Sequence, residues 1–149
     1  MLVQMVLDAA RREAATIAPT ADIAEAAKLL TARDAHIVVV VDDDKKVQGV
    51  LTDHDVASLV ADCAGQQHAC MTPVADVMTR DVVSCRRSDR VEQVLETMAR
   101  RRLRYLPVLD ENGRVAGLLT MRDALRQLYD EAKGDTAMLR DYIVGAGYH

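Results

Sequence analysis

An α+β fold made of two strand-helix-strand-strand-helix units is what this 149-residue sequence predicts, and three observations predict it. The first is an internal repeat. Gly49-Val50-Leu51-Thr52-Asp53-His54-Asp55 recurs 68 residues later as Gly117-Leu118-Leu119-Thr120-Met121-Arg122-Asp123. The register holds without a gap from Arg33/Arg101 through Val40/Val108 and Asp42/Asp110 to Val47/Val115, and Thr16 and Thr20 fall against Ser84 and Ser88. Self-similarity of this length marks a duplicated structural unit. The second observation is the order of periodicities within each copy: helix-spaced apolar residues, then two β-rich runs split by a polar turn. The third is that 50% of the residues are hydrophobic, enough for a sizeable core, yet Phe and Trp are absent. That core must be built from Val, Leu, Ala, Met and Ile.

Each unit opens on a short extended piece, Thr16-Ile17 in the first. Thr20 or Asp22 then stands where a side-chain oxygen can cap a helix, and Ile23, Ala27 and Leu30 follow on one helical face. The second unit offers Ser88 or Asp89 as cap, then Val91, Leu95 and Met98. Strands are expected over Ile37–Val41 and Tyr105–Leu109, polar turns over Asp42–Lys46 and Asp110–Arg114, and second strands over Val47–Thr52 and Val115–Thr120. Asn112-Gly113 is a strong turn signal because both residues tolerate positive φ. Helices close the units, roughly Asp53–Cys63 and Met121–Ala132. Val74-Ala75-Asp76-Val77-Met78 echoes Val3-Gln4-Met5-Val6-Leu7, so a lead-in helix is duplicated too, with a three-residue change in spacing. Gly65 and Pro73 break the connection between copies. The boundaries expected are residues 1–65 for the first unit with its lead-in helix, 66–75 for a linker, 76–132 for the second unit, and 133–149 for a separate short C-terminal helix and tail. Met138, Leu139, Tyr142 and Ile143 would form the apolar side of that last helix.

The net charge of −4 gives no general attraction to nucleic acid or an anionic membrane. Residues 1–75 carry a net −5 and residues 76–149 a net +1, with the basic excess around Arg100, Arg101, Arg102 and Arg104. That arginine run reads as a solvated helix end, where cations complement the dipole. RNA binding would ask for exposed aromatics to stack on, and the chain has four tyrosines only. Cys63, Cys70 and Cys85 have no metal-ligand spacing and read as three ordinary thiols in a reducing cytosol. The longest pure aliphatic run, Ile37–Val41, is far short of a membrane span, and no signal peptide is visible. A cytoplasmic location is therefore expected. Asp42-Asp43-Asp44 lacks calcium-loop spacing, and no Ser/His/Asp, Cys/His or paired-carboxylate arrangement appears, so neither a metal site nor a catalytic one is expected.

The residues that carry chemistry are those of the repeated Gly-x-x-Thr-x-x-Asp. Its Thr ends a strand and its Asp lies in the first turn of the next helix. A helix start presents unpaired amides and a positive dipole end, which suit a phosphate. A Thr hydroxyl there can donate to a phosphate or ribose oxygen. The Asp accepts only; its natural partner is a vicinal diol, as on a ribose. Phosphate and ribose together describe a nucleotide. Simple capping by Thr52 and Thr120, with Asp55 and Asp123 opposing the dipole, is the competing reading; two copies in register favour a binding site.

The whole pattern resembles a tandem pair of CBS domains, the module named after cystathionine β-synthase. The resemblance spans about residues 3–131. It is carried by the two Gly-x-x-Thr-x-x-Asp segments, by Arg104-Tyr105-Leu106-Pro107-Val108-Leu109-Asp110 and by Asp76-Val77-Met78-Thr79. It implies two β-α-β-β-α units packed by pseudo-two-fold symmetry into one module with two clefts. It also implies a regulatory rather than catalytic role, a homodimer, and adenosyl ligands: AMP, ADP, ATP, NAD(H) or S-adenosylmethionine. Each cleft is then assembled across the pair. Thr120 and Asp123 would share one with Thr16, Ala21 and Ala35–Val38; Thr52 and Asp55 would share the other with Ser84, Asp89 and Leu103–Leu106. The base would lie on aliphatic side chains near Ile37 or Tyr105, and His36 and Arg104 occupy equivalent positions beside the phosphate.

The resemblance further implies that the clefts differ. Asp89 stands where the first unit has the small Ala21, and Val39 stands where the second unit has Pro107. The Thr120/Asp123 cleft is accordingly expected to bind nucleotide at least as well as the Thr52/Asp55 cleft. The leading expectation is a sensor that binds an adenine nucleotide and passes its occupancy to an unidentified protein partner or to its own assembly. The alternatives are an interaction scaffold with empty clefts, docking on an enzyme or transporter, and a nucleotide hydrolase, for which no general base is in view.

Overall fold

The computed structural model describes the backbone of residues 1–63 and 70–147 and the side chains of residues 1–63 and 70–134. Helix α1 (Val3–Ala10) leads into β1 (Ala15–Ile17), α2 (Ile23–Arg33), β2 (Ile37–Val41), β3 (Val47–Thr52) and α3 (Asp53–Cys63). Where a second lead-in helix was expected, a 3₁₀ turn at Val74–Asp76 precedes β4 (Cys85–Arg86), α4 (Val91–Arg101), β5 (Tyr105–Leu109), β6 (Val115–Thr120) and α5 (Met121–Gly147). Two three-stranded sheets result, β1-β2-β3 and β4-β5-β6. In each, the short first strand runs parallel to the middle one and the hairpin is antiparallel. The α+β class, the two units and the four hairpin strands are as the sequence predicts.

The hairpin turns are duplicates to the atom. Asp42 Oδ1 accepts from the Asp44 and Lys46 amides, and Asp110 Oδ1 accepts from the Asn112 and Arg114 amides, all at 2.8–2.9 Å. Both turns need a left-handed residue, supplied by Gly113 at φ 79° but by Lys45 at φ 64°. The two tips then bond each other: the Val47 amide donates to the Gly113 carbonyl and the Val115 amide to the Lys45 carbonyl, each at 3.2 Å.

Each unit has its own apolar core, but neither is built from one continuous stretch of chain. Val3 and Val6 of α1 are buried with Val91, Met98, Leu106 and Leu119 of the second unit. Val74 and Met78 are buried with Ile23, Leu30, Val38 and Leu51 of the first. The lead-in segments are therefore exchanged, and α1, expected with the first unit by chain order, packs in the second. Hydrogen bonds repeat the exchange. The Val3 amide donates to Asp89 O and the Val91 amide to Met1 O; correspondingly, the Val74 amide donates to Ala21 O and the Ile23 amide to Thr72 O. The incoming segments thus satisfy helix-start amides that no intrahelical carbonyl can reach.

Three expectations are corrected. Asp22 does cap α2, accepting from the Glu25 amide at 2.8 Å, but Arg90 holds the equivalent place before α4. Asp89 turns its carboxylate back to the Arg86 amide instead. The last helix is one continuous element through Gly134, not two. One glycine in a helix interior costs only about 1 kcal/mol relative to alanine, and no proline follows to stop the helix. Whether Met138, Leu139, Tyr142 and Ile143 form an apolar side lies outside the described side chains. Finally, Cys63 and Cys70 are joined as a disulfide with their Cα atoms 5.3 Å apart, so of the three cysteines Cys85 alone is a thiol, and it is buried. The linker break at Gly65 and the histidine at 68 lie outside the described residues.

Candidate functional site

The sheet of one unit and the helix start of the other meet at two places, and the two clefts are unequal. The larger is a cavity of about 580 Å³. Thr52, Asp53, His54 and Asp55 come from the end of β3 and the start of α3; Leu103, Arg104, Tyr105 and Leu106 come from the entry to β5; Val83 and Pro107 add apolar wall. Small-molecule sites occupy roughly 300–1,000 Å³, so this space suits a nucleoside-sized ligand. Thr52 and Asp55 form a reciprocal cap: the Asp55 amide donates to Thr52 Oγ1 and the Thr52 amide to Asp55 Oδ2, both at 3.1 Å. His36 stacks on Tyr105 with ring centroids 5.5 Å apart, and its Nδ1 lies 2.9 Å from Asp53 Oδ2.

One part of the phosphate expectation changes here. The first amides of α3 are already used within the protein. The Asp53 amide donates to His36 O, the His54 amide to Asp53 Oδ1 and the Asp55 amide to Thr52 Oγ1. The helix start is therefore not an open anion hole, and a phosphate in this cleft would fall to Arg102, Arg104 and His54, all on the cavity wall.

The smaller cleft is the pseudo-symmetric counterpart, with a cavity of about 110 Å³. Ala15, Ala35, Ile37, Leu118 and Thr120 line it, and His36 and Tyr105 border both cavities. Thr120 is buried, and its Oγ1 accepts from the Asp123 amide at 3.0 Å. The Asp123 carboxylate is oriented differently from that of Asp55, which accepts from the Thr52 amide. It is held by Arg12, Nε donating to Oδ2 at 2.7 Å and Nη2 to Oδ1 at 3.2 Å. The Arg12 guanidinium keeps the Asp123 carboxyl below the usual range; Thr120 and Arg122 act in the same direction, and partial burial opposes them. Arg12 also forms part of the cavity wall.

Of the residues expected at the sites, Thr52, Asp55, His36, Ile37, Arg104 and Tyr105 come together in the large cleft. Thr120 lines the small one with Ile37, and Asp123 is turned to Arg12. Thr16 is exposed on β1, Ala21 packs on the first core, and Ser84 lines a separate cavity of about 240 Å³ with Asp89. Ala15 and Val83, one residue earlier, take the wall positions that were assigned to Thr16 and Ser84; in β1 strand alternation turns Ala15 inward and Thr16 out. By volume the Thr120 cleft is the smaller of the two, and Arg12 is part of its wall. Arg12 and Val83 were missed; the one signal for Arg12 was the three-residue change in lead-in spacing. Among the described residues, no group of three His, Cys, Asp or Glu could hold a metal ion. No helix among them is long and apolar enough to cross a membrane.

Two interlocked α+β units with an unequal pair of clefts between them define a paired module. The family model for the CBS domain matches residues 6–62 and again 74–130, and the chain belongs to that family. The CBS domain-containing protein YhcV of Bacillus subtilis is 32% identical over 130 residues, covering 87% of this chain and 89% of its own length. The crystal structure of the CBS-domain containing protein ATU1752 from Agrobacterium tumefaciens superposes with a TM-score of 0.72 at 36% identity, covering 85% of this chain and 98% of that one. The CBS domain pair of protein MJ0100, solved in complex with 5-methylthioadenosine and S-adenosyl-L-methionine, superposes with a TM-score of 0.72 at 26% identity, covering 88% and 98%. Other curated relatives are longer proteins, of which the chain spans 15% to 66%.

Proposed function

We propose that this chain is a regulatory sensor of an adenosine-carrying ligand, of the AMP, ATP or NAD(H) class, taken first in the Thr52/Asp55 cleft. One observation carries the reading: a cavity of about 580 Å³ joins Thr52 and Asp55 of one unit to Arg104 and Tyr105 of the other. In this reading Asp55 accepts from the ribose diol, Thr52 donates to a neighbouring oxygen, the base lies along Leu106 and Ile37, and Arg102 and Arg104 take the phosphate. The adenosyl ligands of the MJ0100 pair support the same class. A ligand that touches both units shifts their relative packing only by its differential affinity for the two arrangements, and that shift is the signal. Neither a catalytic cofactor nor turnover enters the proposal. Leu2 and Met5 at α1, with Leu125 and Tyr129 on α5, are large apolar side chains left exposed, and they support an output through a homodimer or a protein partner.

The test is a thermal-shift panel of AMP, ADP, ATP, NAD, NADH, S-adenosylmethionine and GTP. Ligand at a hundredfold its Kd adds about 2.7 kcal/mol to folding stability, or roughly 5–10 °C in Tm for a chain of this size. A selective adenine shift that Asp55→Ala removes is the expected result. No shift from any of them would instead favour the scaffold reading.

A further inference from the structure

We propose that Arg12 is a gate on the Thr120/Asp123 cleft, and that it makes this cleft selective for ligands carrying an anionic group beside the ribose. The inference rests on the sensor reading above and adds a regulation that the sequence repeat does not contain. Three observations support it.

The first is occupancy. Arg12 grips both carboxylate oxygens of Asp123, through Nε and Nη2. These are the same oxygens that a ribose diol would need. Asp55, in the equivalent place, bonds only the Thr52 amide. The second is volume. With Arg12 as one of its walls the cavity is about 110 Å³, against about 580 Å³ for its counterpart. The guanidinium must leave before a nucleoside can enter. The third is the origin of the arm. Leu7 and Met78 are equivalent, since each backs onto the motif glycine of the unit it packs in. Ala15 and Val83 are also equivalent, since they stand at the repeat spacing and each lines the cleft on its side. Between Leu7 and Ala15 lie seven residues, and between Met78 and Val83 only four. Arg12 sits in the longer segment. The chain reaches it through Arg11, a left-handed residue at φ 51° that ends α1. In the shorter segment Thr79 pairs with Val50, and it brings Thr79 and Asp81 to the wall of the other cleft, with no arginine from that segment there to match Arg12.

The chemistry of the key follows from the chemistry of the lock. A diol that takes Asp123 leaves Arg12 without its carboxylate at the edge of the cavity. Of the other carboxylates on this wall, Glu13 faces Arg33 at 3.6 Å in an exposed pair and Asp34 ends α2; neither is bonded to Arg12. A ligand phosphate offers a second bidentate partner of the right charge. Neutral adenosine offers none, and S-adenosylmethionine puts a sulfonium where AMP has its phosphate, with its carboxylate only at the far end of the methionyl chain. The order of preference in this cleft is AMP, then adenosine, then S-adenosylmethionine.

Calorimetry on the full chain and on Arg12→Ala tests this with adenosine, AMP and S-adenosylmethionine. Arg12 is half exposed, so its removal leaves the fold intact, which a melting curve verifies. The wild type should take one adenosine per chain and two AMP, the second at least tenfold weaker than the first. Arg12→Ala should take two adenosines, and its second site should lose about tenfold of its preference for AMP. Adding Asp123→Asn should abolish the gained site. Two equal adenosine sites in the wild type, or one in Arg12→Ala, would overturn the gate. In that case adenosine binding to the first cleft, sensitive to Asp55→Asn, still persists. Binding of neither ligand to either protein would overturn the sensor reading and the gate with it.

Discussion

Gly49 and Gly117 occupy the same place in the two motifs, and neither is there for a turn. A Cβ on Gly49 would lie 2.5 Å from Met78 Sδ and 2.9 Å from the Thr79 carbonyl, while one on Gly117 would meet Leu7 at 3.4 Å. The motif glycine is the seat of the exchanged lead-in segment. Gly49→Ala forces the backbone at Thr79 to move and should destabilise by about 1–3 kcal/mol. Gly117→Ala needs only a small adjustment of a leucine end and should change stability by less than about 1 kcal/mol. Urea unfolding of the two variants distinguishes them, and equal effects would remove this account of the glycine. At the same scale, the Arg12–Asp123 pair sets a pH dependence. The Asp123 carboxyl is lowered in the folded state. Its stabilising contribution is therefore present above its unfolded value near 3.9 and fades as pH falls through the lower folded value. Because Arg12 is half exposed, that contribution is at most about 1 kcal/mol. The stability gap between wild type and Arg12→Ala should thus be measurable at pH 7 and close on acidification toward pH 3. The Cys85 thiol is raised to about 12 by burial, with Asp89 adding to it, so it stays protonated and unreactive in either protein.

At the scale of elements, the hairpins and helices α2, α3 and α4 were legible in the sequence because their signals are local. Alternation within Val47–Thr52, the polar turn at Asp42–Lys46 and the apolar spacing from Val91 to Met98 each fix an element without reference to the rest of the chain. What was not legible depends on contacts between distant residues. Val3 and Val74 look alike in sequence, but nothing local says that each packs in the other unit. Thr16 and Ser84 were assigned to the clefts through the alignment of the copies, whereas strand parity turns Ala15 and Val83 to the walls. The Cys63–Cys70 pair is likewise hidden, since a spacing of seven residues is compatible with two free thiols. Reducing that disulfide should lower stability by about 2–3 kcal/mol, the loop-closure value for a ring this short. A denaturant midpoint measured with and without dithiothreitol checks this; coincident curves would show that the bond carries no stability.

At the scale of the whole molecule, the exchange makes two cores into one cooperative system. Val6 is 1% exposed in the second core and Val74 0% exposed in the first. Cutting back either side chain leaves a cavity worth about 2 kcal/mol. Because each half supplies part of the other's core, Val6→Ala and Val74→Ala should lower the temperature of one shared transition, with calorimetric and van't Hoff enthalpies in agreement. Two resolved transitions, with each variant moving only one, would mean that the halves fold independently. The same interlock ties the clefts to folding. Asp123 belongs to the second unit, Arg12 to the segment entering the first, and His36 and Tyr105 form a wall common to both cavities.

The exchanged lead-ins also bear on ancestry. A single half of this chain, folded alone, would have a core with an empty seat and a loose arm that fits that seat in another copy. The simplest stable form of such a half is a pair of chains with swapped arms, and joining the two end to end preserves every contact while removing the dependence on concentration. Once joined, the copies no longer had to stay identical. The two arms now differ by three residues in length, and the longer one carries Arg12 to the smaller pocket.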